Sequence, residues 1–299
     1  MRSSVMRAKY GIRPIFTLCL YILACFLVVD LSAADTPALT VVHAGVENAE
    51  DAPFVPASYA FAPGDFVYFV FEVSGYKTSG GQYETQHQLE LSFDVQMLDD
   101  SGVRMTDPSS GKIDGDGSPE DKNWLPKRRA SFLIPSYVAA GTYHIHVTVE
   151  DLLAKTKTDS DFPFKIAGPH LQPTQTLSIQ NFRFLRGEQD GPPLEMADYR
   201  PGSSIGARFE ITGFKLGPKN AVDVRDGFTV LRPNGNTIFS QPDAAAEKSE
   251  AFYPPHFIPG NLSINTTPDL SHGQYTVVVT VQDLIGKQNH DFRYSFEIE

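Results

Sequence analysis

The chain has 299 residues, a net charge of −11, 41% hydrophobic residues and a single Trp. The hydrophobic fraction is large enough for packed cores and excludes a wholly disordered chain. The acidic balance argues against a nucleic-acid partner, because few basic groups are available to neutralise phosphates. A length near 300 residues favours two domains.

The first 34 residues have the layout of a secretory signal peptide. A basic start precedes an uncharged run at 14–29 (PIFTLCLYILACFLVV), and Ser32 and Ala34 occupy the −3 and −1 positions of a cleavage site. The run is short for a helix that crosses roughly 30 Å of hydrocarbon. We therefore predict a secreted or periplasmic protein, with membrane attachment only through an uncleaved signal anchor. Both cysteines lie in this segment, so the mature chain is predicted to form no disulfide.

The remaining chain contains one module written twice. Residues 71–77 (FEVSGYK) match residues 209–215 (FEITGFK), and residues 147–152 (VTVEDL) match residues 279–284 (VTVQDL). The matched pairs keep their order, and their offset changes only where loops differ in length. This pattern predicts a first module at 35–168, a linker at 169–173 and a second module at 174–299.

Each copy has the periodicity of β-strands. Tyr143, Ile145, Val147 and Val149 alternate with polar residues, which is typical of a strand with one buried face. Turn signals separate about seven such segments per copy, a number that suits a β-sandwich. The one candidate helix, residues 244–251, is predicted to lie in a loop.

The strand with the pattern Gly-x-Tyr-x-φ-x-Val-x-Val-x-Asp, where φ is apolar, resembles the penultimate strand of immunoglobulin-like domains. Similar modules of the polycystic-kidney, fibronectin and macroglobulin types occur in exported bacterial proteins. The resemblance implies an all-β fold of two tandem immunoglobulin-like antiparallel sandwiches. It also implies that Tyr143 and Tyr275 act as corner tyrosines. Since this superfamily hosts many functions, no functional residue is transferred.

The best candidate for a binding site is an insertion in the first copy. Residues 122–129 hold the only basic cluster and the only Trp of the chain. We predict that Trp124, Lys127, Arg128 and Arg129 contact a partner, because functional variation concentrates in loops on rigid scaffolds. The alternative is that Trp124 folds over the sandwich edge beside a basic turn.

Two weaker candidates concern metals. His144 and His146 lie two apart on one strand face, where two imidazoles could share an ion. Asp114 and Asp116 begin a carboxylate-rich loop at 114–121, and calcium prefers such oxygen ligands. In both places the alternative is a solvated surface. Neither place has the spacing of an established metal motif, so no cofactor is predicted, and calcium is the one ion left open.

These observations favour a non-catalytic binding, adhesion or scaffolding protein. Its partner would be a protein or polysaccharide of the cell envelope or extracellular space. The alternative is a metal-dependent or hydrolytic enzyme with its site at the module interface. No nucleophile elbow, phosphate loop or dinucleotide motif supports that alternative.

Overall fold

The computed structural model describes residues 38–80, 87–117, 124–187 and 191–299. Residues from Pro37 onward form one compact unit. The predicted signal peptide at 1–34 lies outside the described residues. Within the described ranges, the chain forms sixteen β-strands and one short 3₁₀ helix, Pro218–Asn220. None of the helical structure in these ranges is long and apolar enough to cross a lipid bilayer.

The first module is built from eight strands. They are β1 (Thr40–Glu47), β2 (Ala60–Phe61), β3 (Phe66–Ser74), β4 (His87–Leu98), β5 (Ser109–Gly117), β6 (Lys127–Leu133), β7 (Gly141–Asp151) and β8 (Thr156–Ile166). A three-stranded sheet has the order β1-β3-β6, and a five-stranded sheet has the order β2-β8-β7-β4-β5. Apolar side chains of both sheets meet in one core, so the module is a sandwich.

The second module repeats this arrangement strand for strand. Its strands are β9 (Ser178–Arg186), β10 (Asp198–Tyr199), β11 (Ser204–Thr212), β12 (Val222–Leu231), β13 (Thr237–Ser249), β14 (Ile258–Asn265), β15 (Gly273–Asp283) and β16 (Gln288–Ile298). The sheets have the orders β9-β11-β14 and β10-β16-β15-β12-β13, each the counterpart of a sheet in the first module. The predicted linker at 169–173 falls between β8 and β9.

The predicted all-β, two-sandwich architecture is confirmed. Each copy has eight strands rather than about seven. The additional elements, β2 and β10, have two residues each and pair in parallel with β8 and β16. Two residues are too few to show a hydrophobic period, so the sequence pattern could not reveal them.

The candidate helix at 244–251 does not form, and most of this stretch lies on a strand rather than in a loop. Residues up to Ser249 belong to β13, and Ala245, Ala246 and Glu247 pair with β12. The run favours a helix by intrinsic propensity, but pairing with a long neighbouring strand overrides that preference.

Both modules have a tyrosine corner, as the resemblance implied. The hydroxyl of Tyr143 donates a hydrogen bond of 2.8 Å to the carbonyl of Ala139. The hydroxyl of Tyr275 donates one of 2.8 Å to the carbonyl of Ser271. In each case the acceptor lies four residues before the tyrosine, so the ring fixes the chain as it enters the penultimate strand.

A buried aspartate at the end of the same strand organises the following turn. Asp151 accepts hydrogen bonds from the backbone amides of Leu153, Ala154 and Lys77. Asp283 plays the same part in the second module and accepts from Ile285, Gly286 and Lys215. Both carboxylates therefore stabilise the fold by pairing turn amides that burial would otherwise leave unpaired.

Candidate functional site

Trp124 lies against β5, the last strand in the order of the five-stranded sheet of the first module. A Cβ atom built on Gly115 of β5 would be 3.2 Å from Cη2 of Trp124, so the indole lies directly over this glycine. The side chain is still 40% exposed. The hydroxyl of Tyr76 donates a hydrogen bond of 2.7 Å to the carbonyl of Trp124 and holds its backbone in place.

An open groove of about 460 Å³ lies along the neighbouring strands β4 and β5. It is lined by Gln88, Leu89, Glu90, Asp114 and Gly115. Gly115 is therefore common to the groove and to the Trp124 contact. The side chains of Gln88, Glu90 and Asp114 are exposed, whereas Leu89 is buried in the core. Because side chains alternate along paired strands, Gly115 shares the core-facing side of the sheet with Leu89, whereas Glu90 and Asp114 project from the outward face. The groove thus offers one amide and two carboxylates on the outward face, and the indole lies on the other side of Gly115.

The three basic residues of the predicted binding site do not share one face. Lys127, Arg128 and Arg129 are consecutive residues of β6, so their side chains alternate between the two faces of the three-stranded sheet. Lys127 is exposed. Arg128 is half-buried and donates from Nη1 to the carbonyl of Lys127 at 2.8 Å.

Arg129 is held by three carboxylates of the chain itself. Its guanidinium lies 2.6 Å from Asp51 Oδ1, 3.3 Å from Glu50 Oε1 and 3.4 Å from Glu47 Oε2. The hydrogen bond and the charge of Arg129 hold the pKa of Asp51 below its usual value. These ion pairs fasten the segment after β1 onto β6. Arg129 therefore has an evident structural role in addition to its predicted role in binding.

The histidine pair of β7 lies on the outward face of the five-stranded sheet. His146 Nδ1 is 2.9 Å from Asp161 Oδ1, and its Nε2 is 3.6 Å from Asp159 Oδ1. A hydrogen bond from Thr148 holds the pKa of Asp159 below its usual value. His144 lies two residues earlier and is paired in register with Leu98 of β4. His146 is thus bonded to its own sheet, and a shared ion stays a prediction.

The carboxylate-rich segment begins on β5. Asp114 is exposed and pairs in register with Glu90 of β4. The side chain of Asp116 and residues 118–121 lie outside the described part of the chain. Across the residues that are described, no group of three or more His, Cys, Asp or Glu side chains is placed to hold a metal ion.

A contact that the sequence did not indicate joins the two modules. Tyr253, from the connection between β13 and β14, is fully buried among the core residues of the first module. Its hydroxyl donates a hydrogen bond of 2.9 Å to Asp99 Oδ2 and lies 2.9 Å from His256 Nε2. Because the tyrosine proton is directed to the carboxylate, His256 Nε2 is the donor in the second hydrogen bond.

Asp99 is at the centre of this network. Its Oδ1 accepts from the hydroxyl of Ser101 and from the amides of Ser101 and Val103. Burial alone would raise the pKa of Asp99, but hydrogen bonds from Ser101, Val103 and Tyr253 outweigh it and lower the pKa. Burial likewise lowers the pKa of His256. The charged carboxylate and the neutral imidazole are the forms that this arrangement stabilises.

A cavity of about 650 Å³ lies next to this network, at the predicted location of the alternative enzyme site. Asp100, Tyr143, Thr174, Thr212 and His256 are among its lining residues. Tyr253 and Asp99 lie behind that lining and are buried. The Asp–Tyr–His network therefore has the arrangement of a structural joint between modules.

No protein-family model and no curated protein matches this chain. Among solved structures, it is similar to the C-terminal domain of the Streptococcus agalactiae AgI/II polypeptide BspA. The two are 8% identical, the alignment covers 85% of this chain and 99% of that chain, and the TM-score is 0.29. It is similar to the same extent to the C-terminal domain of the Streptococcus pyogenes antigen I/II-family protein AspA. There the identity is 8%, the coverage 85% and 98%, and the TM-score 0.29.

Proposed function

We propose that the protein is an exported, non-catalytic binding protein of the cell envelope or extracellular space. The contact surface is the edge of the first module at Trp124, and the partner is a polysaccharide. The observation that carries the proposal is a half-exposed tryptophan fixed over Gly115 of the outermost strand β5, whose outward face carries a groove lined by an amide and two carboxylates.

The tryptophan is organised before any ligand arrives. Its ring is supported by the backbone of Gly115, and its carbonyl accepts a hydrogen bond from Tyr76. A rigid aromatic side chain loses little conformational entropy on binding, so more of the contact energy is kept as affinity. An indole face supplies the apolar contact that the C–H face of a sugar ring needs.

The groove supplies the polar half of such a site. Gln88, Glu90 and Asp114 are exposed, and their oxygens can accept hydrogen bonds from sugar hydroxyls. No ion pair joins Glu90 or Asp114 to a basic side chain within the described residues. The groove is therefore negative and favours a neutral or basic polysaccharide over an acidic one.

Trp124 is also the only tryptophan, so its fluorescence reports on this site alone. We expect neutral oligosaccharides, such as chitin, cellulose or mannan fragments, to change the emission intensity and wavelength in a saturable manner. Calorimetry on the same ligands should then show at least a tenfold loss of affinity for Trp124→Ala. Glu90→Gln and Asp114→Asn should give smaller losses.

Phe252→Ala serves as the matched control, because Phe252 is an exposed aromatic residue of the second module. Its removal should leave sugar affinity unchanged. Unchanged affinity in Trp124→Ala would remove the proposed site. If no saccharide binds while the mature protein captures an envelope protein through Trp124, the site is a protein-binding surface instead.

A further inference from the structure

We infer that the second module carries a separate binding site for an acidic polysaccharide, on the outward face of its three-stranded sheet. The site is a row of three side chains across the sheet: Arg183 of β9, Arg208 of β11 and Asn261 of β14. This inference does not depend on Trp124, which belongs to the first module.

The register of the sheet places these residues side by side. Arg208 pairs with Arg183 on one side and with Asn261 on the other. All three are exposed, while their sequence neighbours Ala207, Phe209 and Leu262 are buried in the core. The three side chains therefore project from one face, and directly opposed residues have Cβ atoms about 5 Å apart.

The two arginines have no acidic partner among the residues that the structure describes. Within the described residues, no ion pair or hydrogen bond engages the guanidinium of Arg183 or Arg208. Like charges directly opposite each other destabilise a sheet. A chain with a net charge of −11 has ample carboxylates to pair such groups, yet here it leaves both cations open.

The equivalent row of the first module is filled differently. The corresponding residues are Gly45, Val70 and Arg129, which pair across β1, β3 and β6. Val70 is buried, and Phe54 lies over Gly45. The one arginine of that row is held by three carboxylates. The second module has two arginines in the equivalent row, and none of its described carboxylates forms an ion pair with either.

One carboxylate lies near the row. Glu210 is two residues along β11 on the same face, and its Oε2 is buried without a hydrogen-bond partner among the described residues. In its row, the side chain of Gln180 exchanges two hydrogen bonds with the backbone of Gln172 in the linker. The linker thus packs beside the row of Gln180 and Glu210, whereas the row of the two arginines is exposed.

The chemistry of the row favours a sugar polymer with carboxylate or sulfate groups. A guanidinium binds either anion in a bidentate manner. The exposed side chains that follow Asn261 along β14, Ser263 and Asn265, are polar. Amides and hydroxyls suit sugar hydroxyls, whereas a protein interface would place an apolar or aromatic anchor at its centre.

The test measures binding of the whole mature chain to polygalacturonate, dextran sulfate and neutral dextran at low ionic strength. The first two polymers separate carboxylate from sulfate recognition. We expect saturable binding to at least one acidic polymer, weakened by added salt, and none to dextran.

The double variant Arg183→Ala/Arg208→Ala should lose at least tenfold in affinity. Replacement of both arginines by Lys should lose about threefold, because charge remains but bidentate geometry does not. Glu210→Gln should bind more tightly.

The matched control is Arg225→Ala/Arg293→Ala, which removes two exposed arginines from the other sheet of the same module. It should bind like the unmodified chain. Equal losses in both double variants would show attraction to net charge alone and overturn the site. Absence of binding to either acidic polymer would also overturn it. A sugar-induced change of Trp124 fluorescence is independent of all these outcomes, so the two proposals fail separately.

Discussion

The hydroxyl of Tyr253 donates a 2.9 Å hydrogen bond to Asp99, a residue 154 positions earlier and in the other module. The ring of Tyr253 is completely buried, and the ring of His256 lies 5.2 Å from it. A loop of the second sandwich therefore completes the core of the first one. The hydrogen bonds of this contact stabilise the charged form of the Asp99 carboxylate, and burial stabilises the neutral form of the His256 imidazole.

Tyr253→Phe should lower the free energy of unfolding by about 1–3 kcal/mol. The change leaves the buried Asp99 carboxylate without one of its donors, and the cost of an unpaired buried group is of that size. Tyr253→Ala should cost about 3–5 kcal/mol, because it also opens a cavity. Urea denaturation measures both. Phe252→Ala, at the exposed neighbouring ring, should stay within about 0.5 kcal/mol. Equal effects at positions 252 and 253 would contradict the buried contact.

Asp226→Asn should stabilise the second module at neutral pH and not in acid. Asp226 is 7% exposed, and burial raises the pKa of its carboxyl to about 6. Because the folded-state pKa lies above the unfolded one, the natural chain loses stability as the pH rises from about 4 through 6. The Asn variant avoids this loss and should be about 3 kcal/mol more stable at pH 7. Denaturation curves at pH 4 and pH 7 measure the difference, which should nearly vanish at pH 4.

Removal of either corner hydroxyl should destabilise its module by about 1 kcal/mol, the net value of a typical intramolecular hydrogen bond. The variants are Tyr143→Phe and Tyr275→Phe, which keep the ring and lose the hydrogen bond to the carbonyl four residues earlier. Tyr68→Phe provides a matched control, since no hydrogen bond of the Tyr68 hydroxyl occurs among the described residues. A control that loses as much stability as the corner variants would refute their role.

Gly260→Ala should be far more disruptive than Gly235→Ala. A Cβ on Gly260 would lie 2.1 Å from the ring of Phe209, a buried core residue. Overpacking of this kind costs about 1–3 kcal/mol. At Gly235 the space around a Cβ is open, and the cost arises only from its φ of 84°. Thermal denaturation of the two variants ranks the effects, and the reverse order would contradict the packing of Phe209 under this glycine.

Most of the fold could be predicted from local patterns. Alternation in residues 143–149 placed the buried face of β7 correctly, because a strand exposes every second side chain to the same environment. The repeat predicted two copies of one sandwich, and the strand orders agree. Gly102 and Gly235, which lie in turns after β4 and β12, have positive φ values that glycine adopts readily.

The contacts that depend on distant segments could not be predicted. Nothing near Asp99 in the sequence indicates Tyr253 as its partner. The only signal was the stretch FYPPHF at 252–257, which is unusually aromatic for a loop. The basic run at 127–129 looked like one patch, yet strand alternation divides it between two faces. The period of two would have revealed this division if residues 127–129 had been recognised as part of a strand.

The donated tyrosine ring means that the duplicated halves are no longer interchangeable or autonomous. If the first module were produced alone, its core would contain a cavity at the position of Tyr253. Asp99 would also lack the hydrogen bond from the Tyr253 hydroxyl. Divergence after duplication has thus made the core of the first module depend on a residue of the second, while the core of the second module is built from its own residues.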